Sequence, residues 1–110
     1  LRTLYHPSVA EMNLSTVLYA LSDPIRLSIL KRLAENGEQS CSSLDMSVPK
    51  STLSHHFKVL RESGVINTRI EGTQRYISIR YNDLNTRFPG LLDAVLKELK
   101  RTDGAQEAKK

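Results

Sequence analysis

The feature that most constrains this chain is the change of hydrophobic period at Gly64. Before it, apolar residues recur at helical spacing; after it, they alternate as strands do. Ahead of Gly64, Leu53, Phe57 and Leu60 fall at i, i+4 and i+7 of a segment running Lys50 to Ser63. Behind it, residues 65–70 (VINTRI) and 76–81 (YISIRY) are rich in β-branched and aromatic residues. The intervening Glu71-Gly72-Thr73-Gln74 reads as the turn of a hairpin. A chain of this kind must therefore place a β-hairpin directly after a helix.

The rest of the pattern is helical. Met12, Leu14, Val17, Leu18 and Leu21 predict a helix over Val9 to Leu21. Asp23-Pro24 starts a second one, since an aspartate can accept from free N–H groups and proline fits the first helical position. Ile25, Leu27, Ile29, Leu30 and Leu33 supply its apolar face, predicting a helix from Pro24 to Glu35 that stops before Gly37. Cys41 to Met46 is a short helical candidate, followed by the turn-like Ser47-Val48-Pro49. After the hairpin come the capping pair Asn82-Asp83, a short turn to Phe88, then Pro89-Gly90. A last helix carries Leu91, Leu92, Val95, Leu96 and Leu99 along one side. The expected fold is mainly α with one β-hairpin. Residues 1–8 are expected to be an N-terminal arm, 9–101 the folded domain and 102–110 a disordered tail.

Composition narrows the function classes. A domain of 110 residues buries only part of its unfolded surface, and the apolar faces of the first and last helices have no obvious third partner. Pairing of two copies would cover Leu14, Val17 and Leu18 together with Leu91, Leu92, Val95, Leu96 and Leu99. No apolar run reaches the roughly 20 residues needed to span a bilayer, and Leu1 to Pro7 lacks the apolar stretch of a secretory signal. The expectation is a cytoplasmic protein without a membrane partner. The net charge of +4 is concentrated. Between Lys50 and Arg80, six cations (Lys50, Lys58, Arg61, Arg69, Arg75, Arg80) face only Glu62 and Glu71. A positive field confined to one part of a balanced scaffold suits phosphate binding.

The chemistry of the segment agrees with that field. The stripe Leu53, Phe57 and Leu60 must face the core, leaving Ser51, Thr52, Ser54, His55 and Lys58 toward other sides. Hydroxyls and an imidazole can read base edges, and lysine can neutralise phosphate. His56, three residues after Leu53 and four before Leu60, is expected to pack at the edge of the core. The candidate DNA-binding set is Lys50, Ser51, Thr52, Ser54, His55, Lys58 and Arg61 on the helix, with Arg69, Thr73, Gln74 and Arg75 on the hairpin. Ser51, Ser54, His55 and His56 contain the letters of a nucleophile and base, but no orienting acid or oxyanion site accompanies them. An enzyme is not expected, and neither is a cofactor.

Three blocks then match a known family. LSDPIRLSILKRL (21–33), STLSHHFKVLRESGVI (51–66) and EGTQRYISIR (71–80), in this order and spacing, resemble the ArsR/SmtB winged helix-turn-helix repressors. The resemblance covers residues 14–99. It implies a homodimer through the first and last helices, a recognition helix at Lys50 to Ser63, a wing at the hairpin, and repression from an inverted-repeat operator in double-stranded DNA. It also implies release by an inducer. Metal-sensing members use two or more cysteines near the short helix, or aspartate and histidine ligands on the last helix. Here the first place offers Cys41 alone, and the last helix offers Asp93 and Glu98 without histidine. No metal site is expected, although His6 could approach Cys41. The inducer is left as a small molecule or a redox signal at Cys41. The rival reading is a winged-helix protein-interaction module that does not bind DNA.

Overall fold

The structure, a computed structural model, describes residues 4–44 and 46–109, with side chains of the last helix as far as Arg101. Five helices surround a small antiparallel sheet: α1 (Leu14–Ala20), α2 (Pro24–Asn36), β1 (Gln39–Ser40), α3 (Lys50–Ser63), β2 (Ile66–Glu71), β3 (Gln74–Ile79), α4 (Tyr81–Arg87) and α5 (Leu91–Lys109). A single 3-10 turn, Cys41–Ser43, follows β1.

Local chemistry sets most boundaries. The Asp23 carboxylate accepts from the N–H groups of Ile25 and Arg26, and Pro24 opens α2 as expected. At the other end of α3, Gly64 takes the left-handed conformation (φ 94°), and its N–H returns to the Arg61 and Leu60 carbonyls. The hairpin turn falls where expected: Glu71 pairs with Gln74, leaving Gly72 and Thr73 between the strands. Gly72 has φ 61° and no described non-glycine residue has positive φ, as a type II′ turn requires.

The sheet order is β1-β3-β2. Gln39 pairs with Ile77 and Ser40 with Tyr76, so β1 clips onto the base of the hairpin. The core lies where α2 (Ile29, Leu30, Leu33) meets α3 (Leu53, Leu60) and the hairpin base (Ile66, Ile77, Ile79). Val17 of α1, Leu84 of α4 and Leu92 of α5 close it from the remaining sides.

Several expectations change. The first helix starts at Leu14, not Val9, because the Asn13 side chain caps Thr16 N–H, while residues 8–12 form a separate turn closed by Met12 N–H to the Ser8 carbonyl. The short helix expected over Cys41 to Met46 is only one 3-10 turn within its described residues, Asp45 lying outside them. The short turn expected after Asn82-Asp83 is instead the helix α4, and the two-residue β1 is an addition to the expected elements. The helical bounds of α5 are Leu91–Lys109.

The segment 4–13, though not helical, is fastened to the body. Arg61 Nε donates to the Tyr5 carbonyl, Thr68 N–H to His6 Nε2, Arg80 Nη1 to the Pro7 carbonyl and Arg87 Nε to the Met12 carbonyl. Pro7 and Met12 cross Gly64 so closely that an added Cβ would lie 2.6 Å from Met12 Cε.

Candidate nucleic-acid interface

Helix α3 presents two faces of opposite character. Leu53, His56 and Leu60 are buried, whereas Lys50, Ser51, Ser54, His55 and Lys58 are exposed and Thr52 is half-buried. Positions 51, 54, 55 and 58 fall at i, i+3, i+4 and i+7, so their side chains form one stripe. The stripe carries two hydroxyls, one imidazole and one ammonium. At the start of the helix Pro49 is the N-cap and no side chain accepts from the first-turn N–H groups.

The buried side of α3 is held by a polar brace. Arg26, 4% exposed, donates from Nε to the Ala20 carbonyl at 2.7 Å, from Nη2 to the Tyr19 carbonyl at 2.9 Å and from Nη1 to His56 Nδ1 at 3.1 Å. A guanidinium only donates, so His56 Nδ1 accepts and the ring proton sits on Nε2. His56 is thus packed at the core edge, as its spacing implies. Partial withdrawal from water pushes the Asp23 carboxyl up, but the N–H groups of Arg26 and Ile25 and the Arg26 guanidinium hold it below its usual range.

The expected cations divide into three groups. Arg61 is buried, bonded to the Tyr5 carbonyl and 3.7 Å from the Glu62 carboxylate, so it stands apart from the exposed stripe. Its place was legible, for it lies four residues after Phe57 on the core face. Arg69 is exposed but tied, pairing with Glu38 at 3.0 Å and Glu71 at 3.1 Å while covering the Tyr76 ring. Arg80 is engaged by Asp83 and the Pro7 carbonyl. Lys50, Lys58 and Arg75 are exposed without an ion pair among the described residues. At the hairpin tip Thr73, Gln74 and Arg75 are exposed, with Ser42 Oγ 3.4 Å from Gln74 Oε1.

Around the other candidates the chemistry is quieter. Cys41 is half-buried; burial pushes its thiol above the usual range, partly offset by the Arg75 charge. His6 donates from Nδ1 to the Leu4 carbonyl and accepts at Nε2 from Thr68, so both ring nitrogens are committed. Among the described residues no group of three or more His, Cys, Asp or Glu side chains could hold a metal ion, and no helix is long and apolar enough to cross a membrane. Of the residues assigned to pairing, Leu14 and Leu18 are 48% and 47% exposed, and Leu91, Val95, Leu96 and Leu99 are half-buried. Val17 and Leu92, also assigned to pairing, lie inside the chain's own core. Tyr19, 58% exposed beside Leu18, was not anticipated.

Comparison with known proteins agrees with this architecture. A family described as a helix-turn-helix domain matches residues 21–69. An uncharacterized HTH-type transcriptional regulator of Bacillus subtilis, YceK, is 37% identical over 82 residues, 72% of this chain and 82% of the relative. The arsenical resistance operon repressor of Staphylococcus xylosus is 36% identical over 73 residues, covering 66% of this chain and 70% of the repressor. Among solved structures, the transcriptional repressor BigR from Xylella fastidiosa superposes with a TM-score of 0.55 at 34% identity, covering 67% of this chain and 84% of that one. Proteins of this kind are regulators and not enzymes. With helix, turn, exposed second helix and hairpin in the order that these relatives share, the chain belongs to the ArsR/SmtB family of winged helix-turn-helix transcriptional regulators.

Proposed function

We propose that the protein is a homodimeric repressor that lays α3 in the major groove of an inverted-repeat operator and its β2–β3 wing along the adjacent backbone. The observation that carries this reading is the exposed stripe of Ser51, Ser54, His55 and Lys58 on a helix whose opposite side is locked to α2. A rigid helix can hold base-reading groups in register, which a mobile one cannot. Lys50, Lys58 and Arg75 then supply phosphate contacts, and Ser51, Thr52, Ser54 and His55 supply direct readout. Thr73 and Gln74 accompany Arg75 at the wing tip, while Arg69, committed to Glu38 and Glu71, contributes less.

The second copy covers Leu14, Leu18 and Tyr19 together with the half-buried side of α5 (Leu91, Val95, Leu96, Leu99). Exposed apolar residues clustered on two adjacent elements suit an isologous interface. The protein acts in the cytoplasm and is released from DNA by an inducer. Redox sensing at Cys41 is disfavoured, because a thiol raised by burial is rarely the reactive thiolate.

The test is a titration of purified protein against random and genomic duplexes at two salt concentrations, with mass measured in solution. A dimer selecting an inverted repeat, with affinity falling steeply as salt rises, supports the reading. A protein that binds no duplex at either salt concentration is an interaction module instead.

A further inference from the structure

The wing carries a strand edge that has no partner among the described residues. In the order β1-β3-β2, β2 is an outer strand, and its ladder with β3 runs from Ile66↔Ile79 to Glu71↔Gln74 without a bulge. Alternate residues of an antiparallel strand turn their backbone groups toward one neighbour and away from it. Thr68 N–H leaves the ladder for His6 Nε2, so Ile66, Thr68 and Ile70 face their N–H and C=O groups away from β3. The N-terminal segment occupies this edge at Thr68. Beyond it, the backbone of Ile70 meets no described residue, and the Ile70 side chain is 48% exposed.

An open edge is a template for another strand, and proteins that keep one idle blunt it with lysine, proline or a bulge. The sequence of β2, INTRIE, has neither lysine nor proline. Its charges are instead of opposite sign: Arg69 and Glu71 flank Ile70 on the other face of the strand. If a second β2 lies antiparallel with Ile70 opposite Ile70, each Arg69 stands opposite the Glu71 of the other copy. The central pair then exchanges both backbone bonds. The flanking charged pairs fall at the positions where facing Cα atoms come closest, about 4.5 Å. Arg69 already reaches Glu71 of its own strand at 3.1 Å, so four charges join in one alternating cluster. The neighbouring registers, centred on Arg69 or on Glu71, set like charges face to face and are disfavoured.

We propose that β2 pairs edge to edge with β2 of a second copy, centred on Ile70, and that this contact links neighbouring dimers along DNA. The dimer proposed above uses α1 and α5 and leaves both wings free, so adjacent dimers can meet wing to wing in one continuous sheet, β3-β2-β2-β3. The His6 bond at Thr68 and the turn at Gly72 confine the contact to a few residues. A patch that small is weak between free molecules. It acts once DNA holds two copies side by side, where a tethered partner is present at an effective concentration in the millimolar range, on the order of 1 mM. The link between dimers rests on the DNA-binding reading above, whereas the strand pairing does not.

Two experiments on the full chain separate the pairing from the link. In the first, Cys41→Ser is combined with Ile70→Cys and oxidised with glutathione disulfide. Facing Cα atoms about 5.5 Å apart lie within disulfide reach, so cross-linked chains should form far faster than from Cys41→Ser with Glu71→Cys, whose diagonal separation of about 7–8 Å exceeds it. Equal rates overturn the pairing. In the second, duplexes carry two copies of the inverted repeat found by titration, at varied spacing. Filling one repeat should raise affinity for the next about tenfold, the worth of one or two hydrogen bonds and a cross-strand pair, at spacings that recur with the helical turn. Ile70→Pro removes the outward N–H but no β2–β3 ladder bond, and Glu71→Arg sets cation against cation. Each should abolish the gain, expressed as the ratio of two-site to single-site affinity. Glu71→Arg, at an exposed position, keeps the test decisive if Ile70→Pro lowers the unfolding midpoint. Independent filling at every spacing overturns the link, as does a gain that survives both variants. If no duplex binds at all, the DNA reading and the link fall together, while the cross-linking rates still decide the pairing.

Discussion

Arg26 Nη1 donates to His56 Nδ1 across 3.1 Å, joining α2 to α3 through two buried side chains. The same guanidinium holds the last carbonyls of α1, so one residue fixes three helices. Arg26→Ala removes the donor of two buried acceptors, the Ala20 carbonyl and His56 Nδ1, while the Tyr19 carbonyl keeps Ser22, and should destabilise the fold by about 2–3 kcal/mol, read as a lowered midpoint in urea. A double-mutant cycle with His56→Ala should return a coupling of about 1 kcal/mol or more. Strict additivity would mean that the two side chains are merely neighbours.

Stability should fall on the acid side of neutrality because of His6. Burial lowers its pKa below 6.5, the Leu4 carbonyl partly opposes this, and Arg61 and Arg80 lower it further. The unfolded chain therefore takes up a proton before the folded one does. The stabilising contribution is complete above the unfolded value and is lost as pH falls through the folded one. His6→Gln, which keeps an acceptor for the Thr68 N–H, should flatten the slope of stability between about pH 7 and 5. An unchanged slope would assign the acid sensitivity to another group.

Gly64→Ala meets two obstacles. The backbone sits at φ 94°, and a Cβ would approach Met12 Cε to 2.6 Å and Met12 Cγ to 2.9 Å. A loss of about 2 kcal/mol or more is expected. Adding Met12→Ala should relieve the collision but not the backbone strain, and thermal unfolding of the single and double variants separates the two. Full recovery in the double variant would show that conformation at Gly64 costs nothing.

DNA binding should separate position from readout. Lys58→Ala and Arg75→Ala should weaken binding to operator and random duplex alike and reduce the salt slope by about one unit each. Ser54→Ala and His55→Ala should erode operator preference by roughly 1–3 kcal/mol for a good base contact. Parallel losses on both duplexes for all four variants would leave no direct readout on this helix.

The pairing surface makes its own demand. Leu18→Glu places a charge on an exposed apolar patch and should yield folded monomers by light scattering, with operator affinity reduced accordingly. Val17→Ala should instead lower stability by roughly 1–3 kcal/mol with little effect on dimer affinity, since Val17 is fully enclosed within one protomer. If Leu18→Glu remains dimeric, the interface lies elsewhere.

How much of this was legible in the sequence depended on whether the signal was local. The span of α3 was readable to its ends because Pro49 and Gly64 bracket a clean apolar stripe, and α2 was missed by one residue at its C-terminus. The false extension of α1 arose because Val9 and Met12 are apolar for a different reason, their turn serving to lay Met12 over Gly64. Asn13, a good cap in the middle of the pattern, was the overlooked warning. Helix α4 escaped because Asn82, Asp83, Asn85 and Thr86 are weak helix formers, held by burial of Leu84. Two-residue β1 carries no periodicity at all, and only its partner β3 defines it. The candidate site followed the same rule. Side-chain type and helical spacing located the exposed stripe, whereas one of the two ion pairs that occupy Arg69 comes from Glu38, 31 residues away.

The ties of the N-terminal segment also set an order of events. Tyr5 meets Arg61, His6 meets Thr68, Pro7 meets Arg80 and Met12 meets Arg87, bridging 56, 62, 73 and 75 positions along the chain. Loops that long close late, after hairpins and helices have formed. During synthesis, the residues that leave the ribosome early must therefore wait for residues 61–87 before they can settle, and until then the end of α3 beneath them stands uncovered.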